Sequence, residues 1–97
     1  MIITVVEARV AEEHWPELQD AYAAKLQQLG PGIVQTFLVH SLIDSAVWQI
    51  MTIWASLEML QATRQPGQTP PANLMFRAAG AEPTHTVFDI AMQAKAS

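Results

Sequence analysis

The chain has 97 residues, 51% apolar and 14% charged, with nine acidic side chains against five basic ones and a net charge of −4. No Lys/Arg cluster occurs, which excludes nucleic acid and anionic membranes as partners; the absence of cysteine excludes disulfides, thiolate catalysis and cysteine-held metals, and fits a cytoplasmic setting. One domain, residues 1–97, is expected, and a chain this short buries only about 60 to 65% of its unfolded surface, so its apolar excess favours a homodimer.

The opening run, MIITVVEARV, has no basic segment ahead of it and no small-residue cleavage site, so it reads as a first strand over Ile2 to Val10 rather than a signal peptide. Ile2, Val6 and Ala8 fall on one side of it, Ile3 and Val5 on the other. From Glu12 the period changes. Trp15, Leu18, Tyr22, Leu26 and Leu29 share one stripe at 3.6 residues per turn, which predicts an amphipathic helix with Pro16 in its first turn and Gly30-Pro31-Gly32 as its stop. The uncharged stretch from Leu26 to Ile43 is broken by those glycines and diluted by glutamines, so no membrane span is expected.

Ile33 to Ile43 reads as a second strand, returned by a turn at Asp44-Ser45. A loop symmetric about those two residues sets Phe37 opposite Thr52 and His40 opposite Gln49, with Phe37, Val39 and Trp54 on one face and His40 on the other. A bulge or an odd-numbered loop reverses this assignment. The third strand lies in an uncharged run of thirteen residues, Ser45 to Leu57, and places Trp48, Ile50, Thr52 and Trp54 on one face. Ser56, followed by Glu58, caps a helix ending near Arg64. Residues Gln65 to Pro71 read as a loop, Thr69-Pro70 as the entry to a short helix over Ala72 to Ala79 that ends at Gly80, and Thr84 to Met92 as a fourth strand.

The order is β-α-β-β-α-β with the second helix broken in two, the α+β, ferredoxin-like plan: a four-stranded antiparallel sheet with the helices on one face and the first and third strands central. The opposite face presents Ile3, Val5, Met51 and Ile53, and a second copy packed through this sheet face is its expected cover.

The run QIMTIWASLEML between hairpin and helix resembles the tryptophan-serine signature of the antibiotic biosynthesis monooxygenase (ABM) family of dimeric α+β barrels, and element order, length and missing cysteines agree with it. The resemblance implies a cofactor-independent monooxygenase acting on a small phenol or quinol, with no cofactor and no metal, because the substrate anion can itself reduce oxygen. Its pocket is expected between sheet and helices, lined by Phe37, Trp48, Thr52 and Trp54 from the strands and by Tyr22, Met75 and Phe76 from the helices. Read as packing alone, the same side chains fill the core of a small domain, as Trp15 and Phe88 are expected to do.

Trp54 and Arg77 are the catalytic candidates, Arg77 as a partner for a phenolate. His14, His40 and His85 have no metal or triad spacing, and Asn73 is the single asparagine. The haem-degrading branch of the family uses an asparagine on the first strand and an iron-ligating histidine on the second helical region. Here Ala8 stands in the Glu7-Ala8-Arg9 run and Phe76-Arg77-Ala78-Ala79-Gly80 offers no histidine, so haem degradation is not expected. The alternative function is a non-catalytic dimer that binds a small apolar ligand.

Overall fold

A computed structural model describes residues 1–64 and 69–96. Its strands are β1 (Ile2–Arg9), β2 (Ile33–His40), β3 (Val47–Trp54) and β4 (Thr84–Asp89); its helices are α1 (Trp15–Lys25), α2 (Leu57–Ala62) and α3 (Pro71–Ala78), with short 3-10 turns at Glu12–His14 and Leu26–Gln28 flanking α1. The sheet is antiparallel in the order β2-β3-β1-β4, so the two strands with the strongest apolar alternation are the central ones, as expected. The loop reading of Gln65 to Gln68 lies outside the described residues.

The helix-side face of the sheet is the buried one. Val6, Ala8, Trp48 and Ile50 pack there with Leu18 of α1 and Phe76 of α3, both wholly enclosed. Pro16 sits in the first turn of α1, where its missing N–H costs nothing. Ser56 caps α2 by accepting the Met59 N–H at 3.1 Å, as its position after the strand predicts. Gly32, at φ 88°, turns the chain into β2 directly beneath Met59 and accepts the Ala55 N–H at 2.9 Å, which ties the start of β2 to the exit of β3. No helix among the described residues is long and apolar enough to cross a membrane.

Several boundaries differ from expectation, most by one or two residues and three by more. The α1 stripe ends early, leaving Leu26 and Leu29 about half exposed, and β4 stops at Asp89 with Met92 in solvent. The second strand ends at His40 rather than Ile43, because the Ser41 hydroxyl accepts the N–H groups of Ile43 and Asp44 and begins a turn, with Leu42 and Ile43 fully exposed at its tip. Asp44 closes the turn: its carboxylate accepts the Ala46 N–H and pairs with Arg9 at 2.6 Å.

The longer turn changes the hairpin register by one residue. Phe37 stands opposite Met51, and His40 opposite Trp48. Phe37 and Val39 therefore lie on the face away from the helices, while His40 is on the helix side, stacked on Trp48 at a centroid distance of 4.0 Å with Trp15 edge-on to both.

Candidate functional site

Three threonines occupy paired positions on three adjacent strands. Thr36 of β2 is opposite Thr52 of β3, and Thr52 is opposite Thr4 of β1, so their side chains form one row on the helix-side face. Thr36 donates to the Met51 carbonyl at 3.2 Å and accepts the Tyr22 hydroxyl at 3.1 Å, while its oxygen lies 3.2 Å from that of Thr52. A hydroxyl has one hydrogen, and Thr36 spends it on Met51, so Thr52 is the donor in the Thr36–Thr52 bond. Trp54 Nε1 donates to Thr4 Oγ1 at 3.1 Å, which leaves the Thr4 hydrogen available to another acceptor. The row therefore offers one hydroxyl donor, Thr4, and acceptor lone pairs on Thr52 and Tyr22.

Above this row, between the sheet and helices α1 and α3, lies a cleft of about 630 Å³, a size suited to a small organic ligand. Its walls are largely apolar, with Leu26 and Leu29 following α1, Leu74 and Met75 from α3, and Ile50 and Trp54 from β3. Its charged side chains are Lys25 and Arg64; no Asp or Glu lines it among the described residues. Arg64 Nη2 lies 2.9 Å from Nε2 of His85, which stands opposite Val6 in the β1–β4 ladder. Partial burial, reinforced by the Arg64 charge, holds His85 below the usual imidazole value.

Of the side chains expected around a pocket, Tyr22, Thr52, Trp54 and Met75 line this cleft. Trp48 and Phe76 are instead core residues beside it, 5% and 0% exposed. Phe37 is on the opposite sheet face for the register reason given above. Arg77 is exposed and pairs with Glu82 at 3.2 Å, away from the cleft, because α3 turns Phe76 inward and its neighbour outward. Sequence reasoning missed Thr4, Thr36 and Arg64, and set His85 aside with the other histidines for want of a metal or triad spacing. The alternation of β1 puts Thr4 on the buried face, a signal open to reading; the other three depend on hairpin register and on the return of β4 beside β1.

No protein-family profile and no curated protein sequence matches the chain. Solved structures do. The fold is shared with a candidate antibiotic biosynthesis monooxygenase from Deinococcus radiodurans at 13% identity, covering 100% of this chain and 99% of that one with a TM-score of 0.74. It is also shared with a mutant of SnoaB, a cofactor-independent oxygenase from Streptomyces nogalater, at 20% identity, 95% and 94% coverage and a TM-score of 0.72. A mutant of MhuD with two manganese protoporphyrin IX molecules bound per active site is similar at 16% identity, 99% and 100% coverage and a TM-score of 0.70. The ferredoxin-like fold implied by the tryptophan-serine signature is thus found, and at these identities the likeness is one of fold.

Proposed function

We propose that this protein is a cofactor-independent monooxygenase that binds a planar phenol or quinol in the cleft beside Trp54. The observation that carries this reading is the cleft itself: an apolar space over a hydroxyl row, in a fold shared with an oxygenase described as cofactor-independent. Apolar walls and the Trp54 ring suit a flat aromatic, and the Thr4 hydroxyl can orient one of its oxygens. With an anthrone, the deprotonated ring supplies electrons to O2; its CH2 carbon becomes a carbonyl, one oxygen atom enters that carbonyl, and the other leaves as water.

Haem fits the cleft poorly. The one histidine that lines it among the described residues, His85, has the Nε2 lone pair engaged by Arg64, and Tyr22 keeps its hydroxyl hydrogen for Thr36, so neither presents a ready iron ligand. The reading also includes a second copy of the chain over the outer sheet face, where Ile3, Val5, Met51 and Ile53 are half-buried while Phe37 and Phe88 are 39% and 50% exposed.

The test is oxygen uptake by the purified protein with a panel of anthrones and dihydroquinones, set against Trp54→Ala. Uptake by the wild type that falls at least about tenfold in the variant is expected if Trp54 positions the substrate. Absence of uptake across the panel, together with a rise in melting temperature on adding the same compounds, would leave the non-catalytic binding protein as the better description.

A further inference from the structure

The distribution of charge around the cleft is uneven. The chain carries nine carboxylates and five Lys/Arg side chains, yet two of the five bases line the cleft and none of the nine acids does. Arg9 and Arg77 each have a carboxylate partner, Asp44 and Glu82; among the described residues Arg64 has none, and its contact is the His85 ring.

That contact fixes a tautomer. A guanidinium only donates, so His85 Nε2 is the acceptor and the single hydrogen of the neutral ring is on Nδ1. The pair's remaining hydrogen-bonding groups are therefore all donors: the other guanidinium hydrogens and the imidazole Nδ1–H. Among the other groups that line the cleft, Lys25 of α1 adds a second positive charge, Tyr22 of α1 presents only lone pairs because its hydrogen goes to Thr36, and Val6, Ala72 and Met75 of β1 and α3 do not titrate.

We propose that Arg64 and His85 form an oxyanion subsite, which takes the anionic oxygen of a planar aromatic ligand whose rings lie against the apolar walls. The ligand class is an aromatic carboxylate or an acidic phenol bound as its phenolate. This deepens the reading of the cleft as a small-molecule site but does not require that site to be catalytic. A charged oxygen gains charge-assisted hydrogen bonds that a neutral one of the same shape does not.

The experiment is calorimetric titration of the full chain with 2-naphthoate and with its neutral near-isostere 2-naphthalenemethanol, plus spectroscopic titration of 2-naphthol with and without protein. The carboxylate is expected to bind about tenfold more tightly than the alcohol, or bound naphthol to ionise about one pH unit lower than free naphthol. Either outcome supports the subsite, and which of the two occurs names the oxygen it takes. In Arg64→Gln the preference should disappear while affinity for the neutral alcohol stays within about twofold; Arg77→Gln, which removes a cation away from the cleft, should keep the preference. Arg64 is exposed, so its variant should fold, and an unchanged melting temperature checks this. Equal affinity for acid and alcohol without acidified naphthol, a preference that survives Arg64→Gln, or no binding of any probe at millimolar concentration overturns the proposal. Failure of oxygen uptake alone would remove the oxygenase reading and leave the subsite standing.

Discussion

Trp54 and Thr4 are joined by a hydrogen bond of 3.1 Å that runs diagonally across the β1–β3 ladder, since the direct partner of Trp54 is Ile2 and that of Thr4 is Thr52. The bond holds the indole over the sheet at one end of the cleft and fixes which threonine has a hydrogen to offer. Thr4→Val removes the acceptor and leaves the indole N–H to find another, at a cost of about 1 to 2 kcal/mol; Trp54→Phe removes the donor. A double-mutant cycle by urea denaturation should give a coupling of about 0.5 to 1.5 kcal/mol. Additive losses would show that the bond does not hold in solution.

The exit of β3 is secured twice, by the Ser56 cap and by the Gly32 turn. Ser56→Ala should cost about 1 kcal/mol, measured by chemical denaturation, because the Met59 N–H loses its acceptor. Gly32→Ala should cost more. Its Cβ would lie 2.6 Å from Met59 Cβ at a φ of 88° that alanine resists, so steric and backbone strain add.

Phe76 and its neighbour Met75 separate packing from binding. Phe76 is fully enclosed between α3 and the sheet, so Phe76→Ala should destabilise the fold by about 3 to 5 kcal/mol. Met75 is partly buried and lines the cleft; Met75→Ala should cost less in urea denaturation yet change 2-naphthoate affinity in calorimetry. If Met75→Ala leaves that affinity untouched, the α3 wall makes no contact with the ligand.

The sheet order was legible because β1 and β3 alternate cleanly and two-faced apolar strands belong at the centre. The β2–β3 register was not, since the Ser41 hydroxyl ends β2 three residues before the apolar pattern does, and one residue of slip moved Phe37 out of the cleft and His40 onto Trp48. The threonine row depends on that register, so it stayed hidden although Thr4, Thr36 and Thr52 are plain in the sequence. Arg77 attracted attention as a cation beside Phe76, but adjacent helical residues point about 100° apart, and burial of one exposes the other. Arg64 and His85 belong to segments 21 residues apart that meet only because β4 returns alongside β1.

The outer sheet face gives a prediction about assembly. Ile53 sits there opposite Ile3, with Met51 and Val5 as the next pair, and a lysine at that position places charge in the middle of the apolar patch. If a second copy covers the face, sedimentation velocity should show a dimer at micromolar concentration for the wild type and a monomer for Ile53→Lys, with a lower melting temperature as the two copies separate. A wild type that sediments as a monomer would remove the second copy from the proposed function.

His85 gives stability a pH dependence of known sign. Its folded value is held below the unfolded imidazole value of 6.5 by burial and by the Arg64 charge, so the folded state binds its proton less readily than the unfolded chain does. Above 6.5 neither state is protonated and the full stability is present. As pH falls through 6.5 toward the lower folded value, only the unfolded chain gains the proton, and stability declines; below the folded value the loss is complete and constant. NMR titration should find the His85 midpoint depressed, and Arg64→Gln should move that midpoint upward by removing the adjacent positive charge. The stability of His85→Gln should fall less than that of the wild type over the same acid interval, since glutamine has no proton to gain. A His85 midpoint at or above 6.5 in the wild type would mean that the Arg64 contact is not kept in solution, and the Nδ1–H assignment would go with it.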